Sequence, residues 1–173
     1  MRVREFETVS PEITVRPAVP DDLDAIADIY GAVFDPIQPR MAVEQYLSPP
    51  GAFALVAEYP PAPKSAPNAE TVIAGFIIGQ AVTEEAEIFS VGVADAFRRH
   101  GLGRALVTKL CVSMAAMGAT SAFLEVAVDN PGAIALYEAV AFEIVGRRKD
   151  YYRDPGGARI DALIMRFDFA STA

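Results

Sequence analysis

Several residue types that organise active sites are scarce or missing in this chain. Among 173 residues there is one cysteine, Cys111, one histidine, His100, and no tryptophan. A lone cysteine cannot close an internal disulfide, and one cysteine with one histidine cannot supply a Cys/His zinc site, so no metal is expected. A Ser-His-Asp triad would have to rest on His100 alone. There is no run of 18 apolar residues, and the opening residues MRVREFETVSPE carry charges where a signal peptide needs an apolar stretch. A soluble, cytoplasmic chain without membrane association is expected. Basic residues are also in short supply, 15 against 23 acids for a net charge of −8. That balance argues against nucleic-acid binding, which depends on neutralising phosphates.

What is plentiful is apolar: 52% of the residues are hydrophobic. A chain of about 150 residues buries roughly 70% of its unfolded surface, enough for one core without staples. Residues 13–169 are read as a single domain after an N-terminal extension, residues 1–12. The stretch PPAPKSAPNAE at 60–70 has four prolines and no large apolar residue, so it is expected to be an exposed hairpin loop. Charge is unevenly spread. From Ala96 to Leu124 there is no acid and four bases (Arg98, Arg99, Arg104, Lys109), whereas Pro17 to Ser90 holds eleven acids against Arg40 and Lys64. One segment suits an anionic ligand and the other a cationic one, with ordinary solvated charge as the alternative.

Pattern reading gives strands at 13–18, 53–59, 71–82, 87–94, 121–128, 142–152 and 160–169. Helices are expected at about 20–34, 41–47, 102–117 and 133–140, with a tight turn at Thr83 to Ala86 and another at Asp129-Asn130-Pro131-Gly132. Early antiparallel strands followed by alternating strands and helices imply an α/β (α+β) mixed sheet with helices on both faces.

Two clusters carry chemistry. The first is Arg98-Arg99-His100-Gly101-Leu102-Gly103-Arg104, between an apolar strand and an amphipathic helix. Glycines let backbone N–H groups converge, the helix start adds partial positive charge and the arginines add whole charges, which together make a pyrophosphate cradle. No Gly-Lys-Ser/Thr follows, so this is not a P-loop. Leu106 takes the third glycine position of a dinucleotide fingerprint, and Glu125 lies inside its strand instead of at its end, so that reading is poor. The second cluster is Leu124-Glu125-Val126, then Asn130, then Tyr137. Each has a plain alternative: an outward strand residue for Glu125, a helix cap for Asn130 and a core aromatic for Tyr137.

Taken together, IFSVGVADAFRRHGLGRALVTKL, LEVAVDNPGAIALYEAVAFEIVGRRKDYY and DALIM resemble the GNAT superfamily of acetyl-CoA-dependent N-acetyltransferases. Within it they resemble the bacterial ribosomal-protein-alanine N-acetyltransferases. The glycine motif is carried by Arg98, Gly101 and Gly103, and the Leu-Glu-Val, Asn and Leu-Tyr-Glu pattern by Leu124 to Val126, Asn130 and Leu136 to Glu138. The resemblance implies a GNAT fold, a mostly antiparallel sheet of six to seven strands splayed at the cofactor site. It implies acetyl-CoA held by the backbone of Val91, Gly92 and Val93, by the loop from Arg98 to Arg104, and by Asn130. Glu125 would be the base for the acceptor amine and Tyr137 the acid for the departing thiol. The acceptor implied is a protein or peptide N-terminus, such as that of a ribosomal protein; small-amine or Lys acetylation and a non-catalytic acyl-CoA-binding domain are the alternatives. Tyr151 and Tyr152 match paired tyrosines near the acceptor, or are ordinary strand aromatics. Departures from the subfamily pattern are Ala127 in place of Arg, Ala141 where Gly precedes Phe, Ile160 where an acid precedes Asp161, and Phe34-Asp35-Pro36 where a Trp is usual.

Overall fold

The computed structural model describes residues 13–34, 37–60 and 71–169. The expected N-terminal extension and all but the first residue of the Pro-rich loop lie outside these. Seven strands form one sheet in the order β1-β2-β3-β4-β5-β7-β6. They are β1 (Thr14–Pro17), β2 (Ala52–Tyr59), β3 (Val72–Val82), β4 (Glu85–Val93), β5 (Ser121–Ala127), β6 (Glu143–Arg153) and β7 (Arg159–Asp168). Every pair is antiparallel except β4 with β5. The helices are α1 (Leu23–Val33), α2 (Pro39–Leu47), α3 (Leu102–Ala116) and α4 (Pro131–Ala139). Among the described residues, no helix is long and apolar enough to cross a membrane.

Strand alternation gives the sheet two apolar faces, each covered by helices. Ala54, Val56, Phe76 and Ile78 face Ile26 and Ile29 of α1 and Val43 of α2. The intervening Leu55, Ala57 and Ile77 face α3, whose Leu102, Leu106, Leu110 and Met114 recur every fourth residue and are fully or nearly fully buried. Each such side chain contributes about 1.5–3 kcal/mol by leaving water. The entry to α1 is pinned by charge. Buried Asp22 accepts from both Nη atoms of Arg16 at 2.7 and 3.0 Å and from the Val19 N–H at 2.8 Å, while Arg16 Nε donates to Glu58 at 2.7 Å.

Two of the boundaries that differ from the sequence reading bear on the site. The turn after β3 is only Thr83-Glu84, with Val82 already facing Glu85 and Thr83 at φ +56°. Ala86 is buried between the more accessible Glu85 and Glu87, so the acidic segment belongs to the strand. Helix α4 begins at Pro131 and not at Ala133. Proline suits the first helical position, and the Asn130 side chain caps the helix by accepting from the Ala133 N–H at 3.1 Å.

The feature that positions the site is a parting of strands. β4 and β5 pair only from Glu85–Ser121 to Ile88–Leu124. A bulge on β4 then places Ile78 opposite Ser90 but Gly79 opposite Ile88, leaving Phe89 as the extra residue. It reverses the alternation: Ile88 packs on the α3 face, Phe89 on the α1 and α2 face, and Val91 and Val93 on the α3 face again. The sheet is splayed as expected, beside Val91 to Val93.

Candidate active site

Glu125 is the first β5 residue past the point where β4 leaves. Leu124 and Val126 face α3 and α4, so alternation sends Glu125 to the opposite face, into a cleft of about 730 Å³ lined by Glu84, Glu85, Glu87, Phe123 and Ile164 among others. Its carboxylate accepts from Arg148 Nη1 at 2.5 Å, and its nearness to the Tyr151 hydroxyl raises that phenol's pKa. Arg148 lies over the Tyr151 ring, 4.2 Å from its centre. Tyr152 donates to the Glu125 backbone carbonyl at 3.4 Å, and burial pushes its phenol up to about 12. Glu87 shares the cleft; its own partial burial, and then the Glu125 charge, raise its carboxyl above the ordinary carboxylate range.

Tyr137, a residue of α4, is on the other face, packed into the core it shares with α3, 6% exposed and edge-on to Phe142 at 5.9 Å. Burial raises its phenol well above 10, and the proximity of Tyr152 adds to this. The two candidate catalytic side chains therefore flank the parted strands from opposite sides. Both the core-aromatic reading of Tyr137 and the cap reading of Asn130 hold as structural roles. Since Asn130 Oδ1 is spent on the cap, its side-chain amide nitrogen is what it can offer a ligand.

The glycine loop precedes α3. Arg99 at φ +65° and Gly101 at φ +84° turn the chain into the helix, and among the described residues no side chain caps the α3 N-terminus. The first turn of backbone N–H groups thus faces outward. A Cβ on Gly101 would meet nothing within 4 Å. Arg98, which pairs with Asp95 at 3.0 Å, and Arg99, His100 and Arg104 are all exposed around this turn. His100 is held through Nδ1 by the Arg98 carbonyl at 2.9 Å and touches the Tyr59 ring.

Three of the loop and strand residues have structural work of their own. Leu102 is a core residue, 1% exposed, so only its backbone is available to a ligand. A Cβ on Gly103 would stand 3.2 Å from Leu136 Cδ2, so this glycine lets α3 approach α4. A Cβ on Gly92 would fall 2.6 Å from the Phe76 ring. Packing against Phe76 on the α1 and α2 side therefore requires a glycine here.

Residues 23–142 match the family model described as Acetyltransferase (GNAT) family. The chain belongs to this family. It is 41% identical over 93 residues to the ribosomal protein bS18-alanine N-acetyltransferase of Escherichia coli K12, spanning 54% of this chain and 62% of that protein. It is 40% identical over 91 residues to the N-alpha-acetyltransferase RimI of Mycobacterium tuberculosis, 53% of this chain and 54% of that one. These matches cover less than two thirds of the relatives' own lengths. In three dimensions the crystal structure of the Escherichia coli ribosomal-protein-S18-alanine N-acetyltransferase superposes with a TM-score of 0.76 at 27% identity, covering 93% of this chain and 96% of that one. Arabidopsis thaliana NAA60 in complex with acetyl-CoA shares the fold, with a TM-score of 0.75 at 20% identity over 91% and 98% of the two chains.

The sequence reading missed Arg148 as the partner of Glu125, 23 residues away. Nothing in the run Arg147-Arg148-Lys149 marks one base from the next. It also overstated the free acidity of the N-terminal half. Asp22 and Glu58 are paired with Arg16, and Asp24 and Glu44 with Arg40, so the acidity that faces the cleft comes from Glu84, Glu85, Glu87 and Glu125.

Proposed function

We propose that this protein transfers the acetyl group of acetyl-CoA to the α-amine at the N-terminus of a protein, a ribosomal protein being the acceptor that its relatives' names suggest. The observation that carries the reading is the parting of β4 and β5 immediately before Glu125. It opens the sheet between an uncapped, arginine-flanked helix start and an acidic cleft. On this reading the outward N–H groups at Leu102 to Arg104, with Arg98, Arg99 and His100 around them, hold the pyrophosphate. The freed backbone of Val91 to Val93 and the side-chain amide of Asn130 hold the pantetheine amides. Acetyl-CoA supplies an activated acyl thioester.

The residues of this chain then have separate tasks. An α-amine has a pKa of about 8 and is mostly protonated at pH 7, so it enters the acidic cleft as a cation and must lose a proton before it can attack. Glu125 takes that proton, directly or through a water. Tyr137, on the far side of the gap, donates a hydrogen bond to the departing sulfur. A thiol has a pKa of about 8.5 and burial holds the phenol far above that, so a shared proton and not complete transfer is its contribution. An α-amine is about two units easier to deprotonate than a Lys side chain, which suits a single half-buried carboxylate. A ribosomal-protein acceptor would place its work in the cytoplasm.

The deciding experiment is incubation with acetyl-CoA and a library of peptides differing at the N-terminus, reading CoA release and the modified nitrogen by mass spectrometry. Acetylation of α-amines in preference to internal Lys or to free small amines is the expected result. Preference for a small amine would overturn the acceptor assignment, and cofactor binding without transfer would leave a non-catalytic acyl-CoA-binding domain.

A further inference from the structure

The geometry points to Arg148 as a placeholder for the acceptor: in the free protein its guanidinium occupies, at the Glu125 carboxylate, the position that the acceptor's ammonium group takes on binding. This rests on the α-amine reading above. Glu125 is the carboxylate nearest the opening in the sheet, and one of its oxygens is bonded to Arg148 Nη1 at 2.5 Å. A cationic amine cannot reach the same oxygen while a guanidinium stands there, because two like charges would be in contact.

Several features suit Arg148 to leaving. Its side chain is 51% exposed. It is the last β6 residue in register before an irregular stretch, since Arg148 pairs with Ala162 but the next pair is Tyr152 with Ile160. Asp150, between them, is at φ +55°. Its neighbour Arg147 is differently placed, tied at 2.6 Å to Asp161, which also accepts the Asp150 N–H at 2.9 Å. On release from Glu125, Arg148 keeps its place over the Tyr151 ring and stays within the field of Glu87. The charge count agrees. Glu84, Glu85, Glu87 and Glu125 outnumber Arg148 in the cleft, so it stays net negative and attracts an ammonium group. Displacement also brings the proton that must be lost directly to the residue that takes it. A neutral acceptor could not exchange for the guanidinium on equal terms, so the same contact selects for a cation.

The test uses the full-length protein, acetyl-CoA and a short peptide beginning with Ala, with its N-acetylated counterpart as control. Arg148→Gln should lower the KM for the peptide by about fivefold, the effect of losing one exposed competing ion pair. The KM for acetyl-CoA should hold and kcat should not fall. Arg148→Lys, which keeps the charge, should bring the peptide KM back toward the parent value. A raised peptide KM, or a reduced kcat at unchanged KM, would overturn the proposal, because Arg148 would then contact the acceptor or orient Glu125. A second readout needs no turnover and no variant. The guanidinium N–H signals of Arg148 in the 15N spectrum should change with the free-amine peptide and not with the acetylated one. If peptides are acetylated but those signals stay fixed, the placeholder alone is refuted. If no N-terminus is acetylated and no peptide moves the signals, the α-amine reading falls and the placeholder with it.

Discussion

Helices α3 and α4 end in the same hydrogen-bonded motif but on different residues. After α3, Gly118 stands at φ +98°, with its N–H on the Ala115 carbonyl at 3.0 Å and the Ala119 N–H on Met114 at 3.1 Å. After α4, Ala141 stands at φ +70°, with its N–H on Glu138 at 3.0 Å and the Phe142 N–H on Tyr137 at 3.0 Å. The pair of bonds, and the Tyr137–Phe142 contact beside them, make a Schellman cap in which glycine is the usual residue. Alanine in the left-handed region costs about 1–2 kcal/mol. Replacing it with glycine also frees the unfolded chain, which takes back roughly 0.4–1 kcal/mol. Ala141 is exposed, so losing its methyl forfeits little burial. Ala141→Gly should therefore gain about 0.5–1 kcal/mol, or an increase in Tm of about 1–4 °C for a domain of this size. Gly118→Ala should lose a similar amount. Urea unfolding at unchanged m-value is the assay. An Ala141→Gly protein no more stable than the parent, alongside a Gly118→Ala protein that is no less stable, would refute the claim that left-handed strain is what separates the two caps.

Glu125→Gln should reduce acetylation near pH 7 by about a hundredfold or more. Part of the rate should return toward pH 9, more for a peptide α-amine than for Lys, because the former is largely neutral there; a pH profile parallel to the parent's would place the deprotonation elsewhere. Tyr137→Phe keeps the ring in its core site and should lower turnover by about a hundredfold with little change in acetyl-CoA affinity by calorimetry, whereas a few-fold effect would leave Tyr137 a packing residue. For Asp22, the Arg16 guanidinium and the Val19 N–H hold the carboxyl below its usual pKa. A depressed native pKa contributes stability that is complete above the unfolded value of about 3.9 and disappears as pH falls through the lower native one. Asp22→Asn should therefore be less stable at pH 7 by about 1–2 kcal/mol, with a shallower loss of stability below pH 4 in acid titrations followed by circular dichroism.

The order of strands and helices was legible in the sequence because it depends on local periodicity and on punctuation such as Gly118, Pro131 and the glycines of the loop. Composition was equally direct: one cysteine and one histidine removed whole classes of chemistry before any fold was known. The family pattern singled out Glu125, Asn130 and Tyr137, but an alternating strand pattern cannot say which face is which, or that Glu125 and Tyr137 end on opposite sides of a gap. That depends on where β4 stops pairing with β5, a long-range event that coincides with the extra residue at Phe89. The reason for Gly92 was likewise hidden, since the ring that fills its side-chain space belongs to Phe76 on the neighbouring strand. Arg148 could not be singled out from Arg147 because the two differ only in which carboxylate the register of β6 brings opposite, Asp161 for one and Glu125 for the other. Sequence determined the residues available for chemistry, through composition and local pattern. Tertiary structure decided which of them meet, because contacts between distant strands follow from pairing register, and a single bulge changes the register of everything beyond it.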